Sequence, residues 1–181
     1  MISHAARVKR PKNILGRRWR RLIPLVAGAA LLGVGKVALS GHFLINFTPS
    51  IPRGIYWISP GVRPQRGDLV TFPIPESVRE LVYERQYVPR TIRLLAKPVI
   101  AIGGDHVCVR DHELVVNGHS AGKVLGVDRD GKPMPEYSGC GVLDPGDVFV
   151  STQHDNSFDS RYFGPLELSV VRGTLSALLT F

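Results

Sequence analysis

Short apolar runs separated by turn residues fill most of the chain after residue 46. Clusters such as Ser59-Pro60-Gly61, Gly103-Gly104-Asp105 and Pro145-Gly146-Asp147 interrupt these runs at short intervals. Short runs with such punctuation are typical of antiparallel strands. The pattern therefore predicts a mainly β, antiparallel domain. Its predicted strands are Gly54–Ile58, Leu69–Phe72, Leu94–Ile102, His106–Val109, Leu114–Val116 and Val148–Ser151.

One segment of this domain has a helical pattern instead. Ser77 and Glu80 have the spacing of a capping box, and Val78, Leu81 and Val82 would share an apolar side. The pattern predicts a single short helix near residues 77–86.

Two later segments follow neither pattern. Gly122 to Gly139 is rich in Gly, Pro, Asp and Lys, which indicates an excursion from the sheet. The C-terminal run Leu166–Phe181 is mixed, with strand-like character at Leu168, Val170 and Val171. Its last four residues would pack on the domain or meet a lipid surface, and the pattern leaves both open.

The strongest apolar run precedes the β pattern. Leu22–Gly35 has no charged residue, and apolar character continues past Lys36 as far as Phe47. A membrane-spanning helix needs about 20 mostly apolar residues, and a lysine near one end reaches the interface at small cost. This run predicts a membrane anchor. A cleavable signal peptide with a site near Ala38-Leu39-Ser40 is the alternative.

The distribution of basic residues predicts the orientation of the anchor in the membrane. Eight of the 23 basic residues lie in residues 1–21 without an acidic residue, so the other 15 balance the 15 acidic residues. Cations flanking an anchor stay in the cytoplasm. The sequence predicts a single-pass inner-membrane protein with a basic cytoplasmic tail (1–21), an anchor (22–45) and an exported, periplasmic domain (46–181). Nucleic-acid binding by the tail is a weaker alternative, because the domain itself is neutral.

Cysteine usage agrees with export. Cys108 and Cys140 are far apart rather than in a CxxC metal motif, so they are a candidate disulfide, with two free thiols as the alternative. Asp128-Arg129-Asp130-Gly131 lacks the ligand set of a calcium loop and indicates a turn. We expect neither a metal nor a cofactor.

Ser50 is the candidate nucleophile, because it lies between Pro49 and Pro52 just beyond the predicted anchor. Proline fixes its own φ and favours an extended residue before it, so the serine is presented on a stiff loop. Ser120 also satisfies G-x-S-x-G, but the glycines and prolines after it exclude the helix that this motif requires.

A serine nucleophile needs a base. After Ser50 the only lysines are Lys97, Lys123 and Lys132, and the last two belong to the polar excursion. Lys97 lies in an apolar strand, where burial would lower its pKa toward that of a general base. The alternative is a lysine on an edge strand, which Pro98 would fit. A histidine triad is weaker; its candidates are His106, His112, His119 and His154.

Four blocks together resemble the type I signal peptidase superfamily. They are Thr48–Tyr56, Arg66–Val70, Lys97–Asp105 and Asn156–Pro165, in that order. The Ser-x-Pro-x-Gly-x-Tyr form of the first block is similar to conjugal-transfer leader peptidases of the TraF type. Pro98 stands where the family usually has arginine, and Gly103 where it usually has proline.

The resemblance implies an antiparallel signal-peptidase-type β fold and a set of roles. Ser50 would be the nucleophile and Lys97 its neutral base. The Thr48 hydroxyl and the Ser50 backbone N–H would form the oxyanion hole. Ser157 would orient the lysine, and Asp159 and Arg161 would form a supporting ion pair.

The same resemblance implies a membrane-anchored Ser-Lys endopeptidase that cuts exported precursors, with a conjugative propilin as substrate and pilin cyclisation as a further step. Its expected partners are that precursor, the lipid bilayer and other components of a transfer apparatus. A general leader peptidase is the first alternative. A non-catalytic scaffold of a transfer apparatus is the second.

Overall fold

Pro24 and residues 41–181 are described by the computed structural model. Their strands are β1 (Phe43–Asn46), β2 (Gly54–Ser59), β3 (Leu69–Pro73), β4 (Leu94–Ile102), β5 (His106–Arg110), β6 (Glu113–Val116), β7 (His119–Lys123), β8 (Cys140–Val142), β9 (Asp147–Val150), β10 (Leu166–Glu167) and β11 (Gly173–Thr180). Two short α-helices, α1 (Glu76–Glu84) and α2 (Ser160–Phe163), and a 3₁₀ turn at Leu168–Val170 accompany them.

The strands form two antiparallel sheets. One has seven strands in the order β1-β2-β11-β3-β4-β9-β10, and the other has four in the order β7-β6-β5-β8. The predicted mainly β, antiparallel fold is confirmed. The bounds of β4 match the prediction, because its nine residues carry the clearest apolar pattern.

Five strands were not predicted as such. Strand β7 is mostly polar, and β8 and β10 have three and two residues, too few for a periodic signal. In the C-terminal run, the strand-like residues Leu168 and Val170 lie in the 3₁₀ turn, and the main strand β11 follows them. That strand pairs with both β2 and β3, so pairing partners far away in sequence determine it.

Strand β1 corrects the predicted anchor boundary. Residues 43–45, assigned from the sequence to the end of the anchor, pair with β2 in the register Phe43↔Trp57 to Asn46↔Gly54. Their apolar side chains gave no sign of where a helix would stop and a strand begin. Within Pro24 and residues 41–181, no helix has the length and apolar character to cross a bilayer. The rest of the predicted tail and anchor lies outside the described residues.

Helix α1 also begins differently from its prediction. It starts at Glu76, with Pro75 at the N-cap and no side-chain capping bond, so the Ser77–Glu80 capping box does not form. Proline has no N–H to satisfy and its φ suits a helix start, which moves the beginning upstream. Of the three residues predicted for the apolar side, Val78 and Val82 are buried and Leu81 is half-buried.

Separate apolar clusters hold the sheets. Val70, Phe72, Val99, Val148 and Val150 are at most 1% exposed in the core of the seven-stranded sheet. Burying each such side chain stabilises the fold by about 1.5–3 kcal/mol. A second cluster, which includes Val107, Val109 and Leu114, lies on the four-stranded sheet.

A disulfide joins two strands of the four-stranded sheet. Cys108 of β5 lies directly opposite Cys140 of β8, and the two are bonded. The bond closes the segment between them, which contains β6, β7 and the polar excursion. The alternative of two free thiols does not hold in this structure.

Candidate active site

Ser50 lies in the loop of residues 47–53 that connects β1 to β2, here called the nucleophile loop. Its side chain is half-buried, and its Oγ is 3.3 Å from the Oγ1 of the exposed Thr48. The next residue, Ile51, is buried in a cluster with Tyr56 and Leu175. The loop is therefore anchored by one apolar side chain while its serine stays accessible.

The contacts of this loop also explain the tyrosine and the glycine of the Ser-x-Pro-x-Gly-x-Tyr block, which are Tyr56 and Gly54. The Tyr56 hydroxyl donates to the Pro52 carbonyl at 2.6 Å, which closes the loop onto β2. A Cβ at Gly54 would lie 2.1 Å from the Leu179 carbonyl oxygen of β11, so only glycine fits this close approach. The block thus encodes the loop geometry as well as the candidate nucleophile.

Asn46, the last residue of β1, makes several contacts with the nucleophile loop that sequence reasoning missed. Its Nδ2 donates to the carbonyls of Thr48, Ile51 and Pro52 at 2.9, 3.0 and 3.1 Å. Its Oδ1 accepts from the Thr48 backbone N–H at 3.1 Å and from the Thr48 hydroxyl at 2.7 Å. An asparagine just before a proline-rich loop is a known turn signal and would have indicated it.

Lys97 is buried in β4, and its Nζ donates a hydrogen bond to Ser157 Oγ at 2.8 Å. Burial lowers the pKa of Lys97 to about 8; the nearby Asp159 carboxylate opposes this shift and Arg161 adds to it. The predicted environment of the lysine and its predicted pairing with Ser157 both appear in the structure.

The alternative of an edge-strand lysine is wrong. Strand β4 lies between β3 and β9, with Lys97 opposite Val70 of β3. Pro98 is tolerated in this interior strand next to an irregularity, because the register with β9 shifts between Val99 and Ala101. Its carbonyl still accepts from the Ser151 N–H at 3.1 Å.

Asp159 and Arg161 form a bidentate ion pair with no exposed surface on either residue. The arginine Nε and Nη2 each donate to one carboxylate oxygen at 2.8 Å. Nη2 also donates to the carbonyls of His154 and Ser157 at 3.1 Å. The pair therefore fixes the backbone of the serine that contacts Lys97. Lys97, Ser157, Asp159 and Arg161 are here called the base cluster.

The nucleophile loop and the base cluster are linked by packing. Among residues 41–181 no hydrogen bond joins Ser50 to Lys97. The apolar cluster that contains Ile51 also contacts Ala96, the residue before the lysine. Neighbours of both candidate groups thus belong to one apolar cluster.

The other candidate groups lie apart from this arrangement. Ser120 is exposed on β7 and donates to Glu113 of β6, so it is not at a strand-to-helix turn. Four histidines are exposed, and within the described part of the chain none of their rings bonds a serine hydroxyl: His106, His112, His119 and His154. Residues 41–181 also contain no group of three side chains arranged to hold a metal.

The close packing around Gly103 explains why this position, the second departure from the family pattern, is a glycine. A Cβ there would lie 2.5 Å from the Cα of Pro145 and 2.6 Å from the Asp144 carbonyl oxygen. A proline at this position would therefore clash with the turn before β9. The neighbouring Asp105 is fixed independently: it accepts from Arg66 and from Asn117, which hold the pKa of its carboxyl at about 2.

Comparisons with known proteins agree with this geometry. The family model for signal peptidase, peptidase S26, matches residues 17–180. The "Conjugal transfer protein TraF" of Agrobacterium fabrum is 35% identical over 165 residues, covering 86% of this chain and 93% of the relative. The "Plasmid transfer protein TraF" of Escherichia coli is 36% identical over 179 residues, covering 91% of this chain and 99% of the relative.

Among solved structures, a signal peptidase I from Enterococcus faecalis V583 aligns with 64% of this chain and 98% of its own, at 25% identity. Its TM-score of 0.37 is too low to support a conclusion about the fold. The family model and the relatives are decisive by themselves. The chain belongs to the signal peptidase family, peptidase S26, and within it to the TraF conjugal transfer proteins.

Proposed function

We propose that this chain is a membrane-anchored Ser-Lys endopeptidase that cuts exported precursor proteins, with a conjugative propilin as its substrate. The observation that carries the proposal is the state of Lys97, a buried lysine whose pKa is lowered to about 8 and whose amine is oriented by Ser157. Such a lysine is neutral in roughly one molecule in ten at pH 7, which makes it a usable general base.

In the acylation step, Ser50 Oγ attacks the carbonyl carbon of the scissile bond and its proton passes to the neutral Nζ of Lys97. The resulting oxyanion accepts hydrogen bonds from the Ser50 N–H and the Thr48 hydroxyl. Lys97 then returns the proton to the leaving amine as the C–N bond breaks. An ester now joins Ser50 to the precursor, and the downstream peptide leaves with a free N-terminus.

Two nucleophiles can resolve this ester. Water, deprotonated by Lys97, releases a linear product with a free carboxylate and restores the serine hydroxyl. If the precursor's own N-terminal amine attacks instead, a peptide bond forms and the product is cyclic, one water lighter than the linear form. The names of the relatives connect the substrate with conjugation, because they are transfer proteins.

The surface beside the nucleophile loop supports a location at the membrane. Phe43, Ile45 and Phe47 are 44, 55 and 68% exposed. The C-terminal Phe181, also 68% exposed, donates its N–H to the Arg53 carbonyl of the same loop. Contiguous exposed apolar side chains mark interaction surfaces. We place the domain in the periplasm, on an anchor that ends before β1 and follows the basic cytoplasmic tail.

Mass spectrometry of a candidate propilin incubated with membranes that contain the full chain tests this proposal. The variants are Ser50→Ala and Lys97→Ala, with Ser120→Ala and Lys132→Ala as matched controls outside the site. We expect defined cleavage by wild type and both controls, and none by the two site variants. The product mass separates linear from cyclic pilin.

Other outcomes would select the alternatives. Cleavage of many unrelated exported precursors with similar efficiency would favour a general leader peptidase. Normal cleavage by Lys97→Ala would show that the base is another group. If wild type cuts nothing across a panel of exported precursors, the non-catalytic scaffold becomes the better description.

A further inference from the structure

We infer that Asn46 is a positioning residue for the nucleophile: it closes the loop of residues 47–53 and sets the direction of the Thr48 hydroxyl proton. The inference rests on the proposed function for its kinetic part. Its structural part rests on the five contacts of one buried amide.

The orientation of this amide follows from its partners. The three groups near Nδ2 are backbone carbonyls, which only accept hydrogen bonds, so the NH₂ group must face them. The Thr48 backbone N–H only donates, so the amide oxygen must face it. Because Pro49 and Pro52 have no N–H, the loop lacks two backbone donors that could otherwise pair these carbonyls. Asn46 supplies donors in their place.

The same orientation assigns the proton of Thr48. Asn46 Oδ1 can only accept, so the Thr48 hydroxyl donates its single proton to it across 2.7 Å. At the 3.3 Å contact between Thr48 and Ser50, the threonine oxygen can therefore only accept. The Ser50 hydroxyl donates in this contact, so its proton is directed toward Thr48 in the resting protein.

This arrangement gives Asn46 an effect on turnover. For Thr48 to donate to an oxyanion, its proton must leave Asn46, while the amide still holds the Thr48 backbone through both its N–H and its carbonyl. Asn46 thus keeps the backbone of the oxyanion-hole residue fixed while its hydroxyl turns. Errors of about 1 Å in such a position cost about 100-fold in rate, although Asn46 touches no reacting atom.

Amide hydrogen exchange of the full chain in detergent micelles tests the structural part. The variant is Asn46→Ala, and the control is Asn117→Ala, which removes another turn-bracing asparagine, one that donates to Asp105 and accepts from the His106 N–H. We expect exchange at the Thr48 amide to become about tenfold faster in Asn46→Ala and to stay unchanged in the control. Equal exchange in Asn46→Ala and wild type would overturn the inference.

Kinetics with the cleaved precursor test the positioning part. We expect kcat to fall at least about tenfold in Asn46→Ala, with KM within about twofold of wild type, because the loop and not the substrate surface is changed. In a Thr48→Val background, the same Asn46→Ala change should cost less than about threefold, because the hydroxyl that it directs is already absent. A purely structural role would give additive losses in these two backgrounds.

The two proposals fail in different ways. If wild type cleaves and Asn46→Ala keeps its kcat, or if the two losses add, the positioning role is wrong and the peptidase stands. If neither wild type nor Asn117→Ala cleaves any precursor, the proposed function is wrong and with it the kinetic role. The exchange experiment then still decides whether Asn46 holds the loop.

Discussion

The base cluster and the nucleophile loop are held in place in opposite ways. Lys97, Ser157, Asp159 and Arg161 are each 6% exposed or less, and a bidentate ion pair supports them. The loop that carries Ser50 lies at the surface between two strands. The side chains that hold it are the buried Ile51, the amide of Asn46 and the Tyr56 hydroxyl.

This difference fits the roles that the proposed function assigns to the two groups. A lysine becomes a base only if burial lowers its pKa, so its surroundings must exclude water and hold it rigidly. A serine that attacks a protein substrate must remain within reach of that substrate. The cluster is therefore expected to respond to substitution mainly through stability, and the loop mainly through rate.

The largest effect is expected from breaking the buried ion pair. Asp159→Asn leaves Arg161 charged and without a carboxylate in a site with no exposed surface. Breaking such a pair costs about 3–5 kcal/mol of unfolding free energy, measurable by thermal unfolding in detergent. Asp155→Asn, on the exposed part of the same loop, should change stability by less than about 0.5 kcal/mol. Similar losses in both would mean that burial of the pair is unimportant.

The second effect concerns the loop and should appear in rate alone. Thr48→Val removes the hydroxyl and keeps the shape of the side chain, and loss of one oxyanion donor lowers kcat by about 100–1,000-fold. Thr48 is exposed, so the melting temperature should hardly change. Thr48→Ser restores the hydroxyl and should recover most of the activity. Full activity in Thr48→Val would show that the Thr48 hydroxyl is not a donor in the oxyanion hole.

The third effect is a gain in stability. Lys97→Met keeps the length of the side chain and removes the charge that burial disfavours. Since the pKa falls from 10.5 to about 8 on folding, the wild-type charge costs roughly 3 kcal/mol below pH 8. Losing the hydrogen bond to Ser157 lowers the unfolding free energy of the variant by about 1 kcal/mol, which offsets part of this gain. We expect the inactive variant to be more stable than wild type by about 2 kcal/mol at pH 7.

The sign of this effect changes with pH in a defined way. Between pH 8 and 10.5 the unfolded chain binds the lysine proton and the folded chain does not, so wild-type stability rises with pH across this window. The advantage of Lys97→Met should therefore shrink above pH 8, vanish near pH 9.5 and reverse by about 1 kcal/mol near pH 10.5, where only the lost bond to Ser157 remains. Lys132→Met, on the exposed excursion, is the control and should show no such trend. A constant advantage between pH 8 and 10.5 would mean that folding does not lower the pKa of Lys97.

The two regions also differ in what their sequences reveal. The environment of Lys97 was predictable because apolar residues on both sides of it indicate a buried strand, and β4 has the predicted bounds. Its interior position in the sheet was not, because Pro98 is typical of an edge and only the pairing with β9 places it inside. Strand order depends on contacts far apart in the chain, which local patterns do not contain.

In the nucleophile loop, the motif identifies Ser50 but not what holds it. Asn46 lies in an apolar stretch whose first part was assigned to the anchor, so its role in the loop was hidden. Only the pairing of β1 with β2 places its amide over the loop. The distance from Ser50 to Lys97 likewise depends on how two separately encoded pieces pack, around Ile51 and Ala96.

The smallest effect depends on both regions, because the protonation of Lys97 is measured through the rate at which Ser50 reacts. In the proposed reaction only neutral Lys97 can accept the Ser50 proton, so kcat/KM should fall tenfold for each pH unit below about 8 and level off above it. Thr48→Val should lower the whole profile without moving its midpoint, since a donor in the loop does not change the burial of the lysine. A flat profile down to pH 6 would mean that the proton goes elsewhere. A midpoint that moves in Thr48→Val would mean that the loop and the cluster are coupled electrostatically, which a contact through apolar side chains does not explain.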